Sequence, residues 1–170
     1  MSMELGCIEV VVNRRKNTKF AFLQVLLIVV CVLGALLGMG GAWPFLILVV
    51  AAGVGAYFAG NEVNVDWEYS LVDRELRIAK ILNKSRRKAV GNYDLEKLEI
   101  LAQHKSYQLD SFKNRTDKEL DFSSKDPEDD NFKFILFIPG NRMILTIKGE
   151  EGNRLLSAIR QFAPRKVFLA

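Results

Sequence analysis

Five cationic side chains crowd one short stretch: Lys80, Lys84, Arg86, Arg87 and Lys88. They are the densest basic cluster after residue 60. Ammonium and guanidinium groups at this density have two chemical uses. They can contact anionic membrane headgroups, at about 1 kcal/mol per charge near the surface, or grip an acidic protein partner. The plain alternative is a solvated strand pair whose lysines and arginines deter edge-to-edge pairing. Other reactive residue types are sparse. His104 is the single histidine, beside Lys105 at the end of an apolar run, the setting of a surface residue rather than a base or ligand. Asp126-Pro127-Glu128-Asp129-Asp130 carries carboxylates for a hard cation. It lacks the glycine and the spaced ligands of a calcium loop. Ser85 and Lys88 have S-x-x-K spacing, a short match that a basic stretch produces by chance. No Gly-rich phosphate loop, nucleophile elbow or paired metal-ligand motif occurs. Cys7 and Cys31 have neither metal-ligand spacing nor an evident mutual partner. The residues therefore predict no enzyme, no cofactor and no metal.

The cluster has to be positioned by elements, and the largest comes before it. Phe20 to Gly60 carries no charged residue. A hydrocarbon core ~30 Å thick needs about 20 helical residues, so this stretch holds two spans. Gly38, Gly40, Gly41 and Trp43-Pro44 mark the break, because glycines loosen a helix and proline suits a helix start. The spans are read as about residues 20–39 and 43–60. A buried hairpin in a soluble core would need a second apolar layer that the chain lacks, and the first run is too long for a signal-peptide core. Gly34 and Gly38 in the first span, and Gly53 and Gly55 in the second, are small enough to let helices approach closely. Their simplest use is packing the two spans together; homo-oligomerisation is the sharper use. Neither span holds an ionisable residue, which argues against transport by this chain alone.

Charge sets the expected orientation. Arg14, Arg15, Lys16 and Lys19 precede the first span, while the Gly38–Pro44 loop has no positive charge. The positive-inside bias puts residues 1–19 in the cytoplasm, and two spans return residues 61–170 to the same side. Within 1–19, Leu5, Ile8 and Val12 are spaced as one face of a brief interfacial helix; the plain alternative is a frayed start with no role. The net charge of +4 is no nucleic-acid signal. Without the four basic residues before the first span and without Glu4 and Glu9, 20 cations face 18 carboxylates. Nucleic-acid binding has no global support from that balance.

After Gly60 the pattern becomes short runs with turn signals. Trp67, Tyr69 and Leu71 alternate with polar residues as a half-buried strand, and Val72-Asp73-Arg74-Glu75 turns. Leu76–Leu82 forms a second strand with broken alternation near Lys80. Ser85–Val90 forms a third, ended by Gly91-Asn92, and Leu95, Leu98, Ile100 and Leu101 form a fourth apolar run. Tyr107–Phe112 and Leu120–Phe122 read as short strands, and 126–130 reads as a solvated loop. Phe132–Ile138 and Met143–Ile147 form a hairpin across Pro139-Gly140-Asn141-Arg142. Leu155, Leu156, Ile159 and Phe162 recur at helical spacing from Glu151 to Ala163, and Pro164 ends that helix. The apolar tail after it is expected to pack back on the domain. The fold class is therefore a membrane α-helical hairpin plus an α+β domain. That domain is a pleckstrin-homology-like (PH-like) bent antiparallel sheet of six or seven strands with a C-terminal helix.

Tyr69-Ser-Leu, Glu75-Leu-Arg-Ile-Ala-Lys-Ile, Lys84-Ser-Arg-Arg-Lys, Leu98-Glu-Ile-Leu-Ala and Pro164-Arg-Lys-Val carry a resemblance. The chain resembles a family of bacterial membrane proteins that combine a transmembrane hairpin with a PH-like domain. The resemblance implies an inner-membrane protein with a cytoplasmic β-domain and implies no assigned activity. The expected function is a non-enzymatic integral membrane protein whose PH-like domain, at the cytoplasmic face, binds membrane lipid or a protein partner. The alternative is a small accessory or assembly subunit of a larger membrane complex, with the Gly/Ala-rich spans as its interface.

Overall fold

The computed structural model describes residues 7–168. Its contacts divide the chain into two compact units. One takes in the chain up to Arg14, Asp66–Ile81 and the residues from Arg87 onward; the other is Arg15–Val65 with Leu82–Arg86.

The second unit is a helical hairpin. Helix α1 spans Thr18–Met39 and α2 spans Pro44–Val63, so α2 runs three residues beyond the expected end at Gly60. Pro44 occupies the first turn of α2, where its missing N–H leaves no orphan. Both helices are long and apolar enough to cross a membrane. Leu36, Ile47, Val50 and Phe58 are among many large apolar side chains left exposed around them. A hairpin forming a soluble core would bury such residues. At the open end, the Asn17 N–H donates to the Val63 carbonyl at 3.2 Å, which sets the start of α1 beside the end of α2.

The first unit is sheet-rich. Strands β1 (Ile8–Asn13), β2 (Val65–Val72), β3 (Glu75–Leu82) and β4 (Arg86–Asp94) pair in that order. Strands β5 (Ile100–Gln103), β6 (Lys118–Asp121), β7 (Lys133–Ile138), β8 (Asn141–Thr146) and β9 (Val167–Phe168) form a second sheet, ordered β6-β8-β7-β5-β9. Helix α3 spans Gly149–Phe162 between β8 and β9. The described residues thus hold nine strands. Two pairings are parallel, β5 with β9 and β6 with β8, and both involve short edge strands.

Periodicity explains most of these elements. Val10 and Val12 on β1, Trp67, Tyr69 and Leu71 on β2, and Leu76 and Ile78 on β3 are buried at every second position. Past Ile78 the alternation fails through Ala79 and Lys80, where the sequence shows its irregularity. Strand β7 is different, with Phe134 through Ile138 all buried. Ile135 and Phe137 join Ile100, Ala102 and Leu109 in one cluster, with Phe112 and Phe168 packed against it. Leu101, Leu136, Met143 and Leu145 are fully buried as well, as are Leu155 and Ile159 on α3.

Several local expectations change. Ile8 and Val12 do not belong to a helix. Residues 8–13 form β1, from Ile8 opposite Leu71 to Asn13 opposite Asp66. Three consecutive valines favour the pleated chain over a helix, and β2 offers a partner edge. Leu5, the third member of the proposed helical face, lies outside the described residues. Gly91-Asn92 does not end β4, which continues to Asp94. The Tyr93 ring lies over Gly91, where a Cβ would meet its Oη at 2.8 Å. Tyr107–Phe112 is a 3₁₀ helix rather than a strand, and Pro127–Phe132 is another rather than a loop. Asp126 caps the second of these by accepting from the Glu128 N–H.

Candidate functional site

The basic cluster begins in a tight turn. The Ser85 N–H donates to the Leu82 carbonyl at 3.1 Å, and Asn83 and Lys84 both have positive φ, 48° and 57°. Two residues with positive φ make the mirror-image hairpin turn that matches strand twist. Asparagine adopts this geometry readily, whereas lysine does so at a cost of about 1 kcal/mol. The turn is fastened to the end of α2. The Asn83 N–H donates to the Asn64 carbonyl, and its side-chain amide to Asn61 Oδ1, each at 3.0 Å.

The five predicted cations fall into four settings. Lys84 and Arg86 belong to the compact unit that holds the two helices, and both are exposed. Arg87 lies on β4 with its Nε 3.2 Å from Glu68 Oε2. Glu68 is only 5% exposed, so Arg87 offsets the desolvation of a buried carboxylate. Lys88 is exposed on β4, and Lys80 is half-buried on β3 with an interaction of its own. Strand β4 is an edge strand, with Arg86 through Val90 all exposed.

The end of the helical hairpin gathers further cations. Arg15, Lys16 and Lys19 are exposed at the start of α1, which meets the end of α2. Among the described residues, none of Arg15, Lys16, Lys19, Lys84 and Arg86 forms an ion pair. Glu62 is the one carboxylate within residues 15–65 and 82–86, and it already has an interaction. At the other end, Gly40-Gly41-Ala42-Trp43 is uncharged, and Trp43 is 77% exposed.

The four glycines singled out in the sequence lie on the helices. A Cβ on Gly38 would stand 2.5 Å from Leu46 Cδ2, and one on Gly34 2.9 Å from Val49 Cγ2. Both are therefore used where α1 meets α2. Gly55 is close to Leu27, at 3.2 Å. Gly53 has only an ordinary 3.8 Å contact with Cys31 Sγ.

The remaining candidates are internally occupied. His104 is exposed, with its N–H bonded to the Lys133 carbonyl. Asp129 binds Lys148 through both oxygens at 2.9 Å. Burial works against its ionisation, but hydrogen bonds from Lys148 and Ser124 hold its carboxyl below the ordinary value. Hydrogen bonds from Lys105 and then Lys133 lower Asp130 to about 2. The acidic segment thus spends its charge on neighbouring lysines. Among the described residues no group of three metal-ligating side chains converges.

One further feature was not anticipated. An open groove of about 460 Å³ is lined by Arg74, Leu95, Glu96, Phe162 and the Pro164-Arg165-Lys166 segment. Arg74 ion-pairs with Glu96 at 2.6 Å and lies 6.0 Å from the Phe162 ring centroid. In the sequence, Pro164-Arg-Lys carried the resemblance, but nothing there linked it to Arg74.

These elements define two apolar helices long enough to span a membrane and a two-sheet domain closed by a C-terminal helix. The profile of the bacterial PH-like domain family DUF6106 matches residues 6–169, and the chain belongs to this family. No curated protein and no solved structure is a significant match to the chain.

Proposed function

We propose that the chain is a non-enzymatic integral membrane protein that presents its PH-like domain at the cytoplasmic face to a lipid or protein partner. The observation that carries this reading is the pairing of β1 with β2. These strands flank the helical hairpin in the chain yet are hydrogen-bonded neighbours. If α1 and α2 cross a bilayer, both must cross it, because strands on opposite sides could not pair. The distribution of charge supports the orientation. Arg15, Lys16 and Lys19 lie at the end that carries the domain's flanking strands, and the distant loop has no charge.

Single-cysteine labelling in intact bacterial cells tests it. The background is a variant with Cys7 and Cys31 changed to serine. A cysteine at Ala42 should react with a membrane-impermeant maleimide, and one at Lys113 should react only after permeabilisation. Labelling of both sites in intact cells, or release of the protein by alkaline carbonate, would overturn the proposal. The partner is sought by affinity capture from gently solubilised membranes, comparing the natural chain with one carrying glutamine at the exposed Lys84, Arg86 and Lys88, which leaves Arg87 paired with Glu68. A partner lost in that variant would place the interface on the basic stretch.

A further inference from the structure

The basic turn and the start of α1 come from distant parts of the sequence and meet at one end of the helical hairpin. Two backbone bonds fix that meeting, Asn17 N–H to the Val63 carbonyl and Asn83 N–H to the Asn64 carbonyl. Arg15, Lys16, Lys19, Lys84 and Arg86 are all exposed there, and none forms an ion pair among the described residues. The contrast with Arg87, which serves a buried carboxylate 3.2 Å away, is informative. The turn also accepts an unfavourable residue. Position 84 has φ 57°, where glycine is the natural choice, and lysine stands there instead. Strain at a non-glycine residue points from structure to use.

Resting on the membrane reading above, we infer that these five side chains form a collar that binds the phosphates of anionic phospholipids around the hairpin. A lipid is favoured over an acidic protein by what lies next to the collar. The helices it surrounds expose apolar side chains over their length, so a headgroup bound at the collar can lay its acyl chains on them. A single acidic peptide would use the charges and leave that surface bare. Each cation near an anionic surface strengthens binding about five-fold, so two together contribute roughly 20-fold or more.

The test uses the full chain in a nonionic detergent. Dioctanoyl phosphatidylglycerol is titrated against it, with dioctanoyl phosphatidylcholine and inorganic phosphate as controls. Selective binding of phosphatidylglycerol is expected, weakened roughly 20-fold in a K84G/R86Q variant and at least as much in R15Q/K16Q/K19Q. K84G relieves the turn rather than straining it, so it separates loss of charge from loss of fold. A melting curve at or above the parent's confirms that. Equal affinity for the two lipids, or unchanged affinity in both variants, would overturn the collar. Binding of inorganic phosphate as strong as that of the lipid would make this a free-anion site and also overturn it. A chain extracted by alkaline carbonate would fail the membrane reading first, which is a distinguishable outcome.

Discussion

The Tyr69 hydroxyl donates a 2.7 Å hydrogen bond to the Phe122 carbonyl, tying β2 of the first sheet to the segment after β6 of the second. The same oxygen accepts from the Thr146 N–H at 3.4 Å. Thr146 in turn shares its hydroxyl with Ser124. Burial pushes the phenol well above its ordinary value, which favours the protonated, donating form. Tyr69→Phe keeps the ring and removes the bond, leaving a buried carbonyl without a donor. The expected loss is about 1–3 kcal/mol, read as a lower midpoint in chemical denaturation with an unchanged slope.

The domain is discontinuous, because β1 precedes the helices and supplies Val10 and Val12 to the core. Residues 61–170 alone should therefore be unstable or aggregate, exposing the edge of β2. Joining Asn13 to Asp66 through Asn-Gly in place of residues 14–65 should restore a soluble, β-rich domain, because those residues are the last pair of the β1–β2 ladder. Circular dichroism and size-exclusion chromatography of the two versions check this. A well-folded 61–170 fragment would contradict the role of β1.

The helix pair should respond to bulk in a fixed order. Gly38→Leu and Gly34→Leu place atoms where Leu46 and Val49 already stand, and overpacking of this kind costs about 1–3 kcal/mol. Gly53→Ala adds a methyl at ordinary contact distance and should be nearly silent. Thermal unfolding in detergent ranks the three. A Gly53→Ala variant as damaged as Gly38→Leu would mean that α2 packs elsewhere through that face.

Acid should weaken the fold through the 126–130 segment. Asp130 titrates at about 2 in the folded chain, held down by hydrogen bonds from Lys105 and Lys133, against about 3.9 when unfolded. A lowered folded value contributes stability that is complete above about pH 5 and is lost as pH falls from about 4 towards 2. Asp121 and Asp129 act in the same direction. Asp130→Asn should therefore flatten the fall in melting temperature between pH 4 and pH 2. It should leave the region above pH 6 without slope of its own.

Much of this was legible in the residues. The uncharged run and its Gly-Trp-Pro break announced both helices, since nothing else in the chain competes with so long an apolar signal. The hairpin of β7 and β8 and helix α3 were equally plain: β7 is a continuous apolar run that stops at Pro139-Gly140, and α3 has a periodic apolar face that stops at Pro164. The failures share a physical cause. Ile8 and Val12, four residues apart, fit both helical and strand spacing, and only a partner some 60 residues away decides between them. Tyr107–Phe112 looked extended because aromatics favour strands, but tertiary packing of Leu109 and Phe112 over β5 and β7 outweighs that preference. The basic cluster was visible as a count. Its division was not, because the burial of Glu68 and the anchoring of Asn83 are properties of the folded chain alone.

The insertion of a helical pair between two neighbouring strands also sets an order of events during synthesis. β1 leaves the ribosome first and has no edge to join until β2 follows, after both helices have been made. At ordinary translation speeds that interval is about 3–10 s. For that time a run of valines waits with its ladder groups open, an aggregation hazard of the kind strand edges carry. Closing the first sheet then requires that both helices have been made and that their outer ends have come together, so the domain completes its fold only after the helical pair.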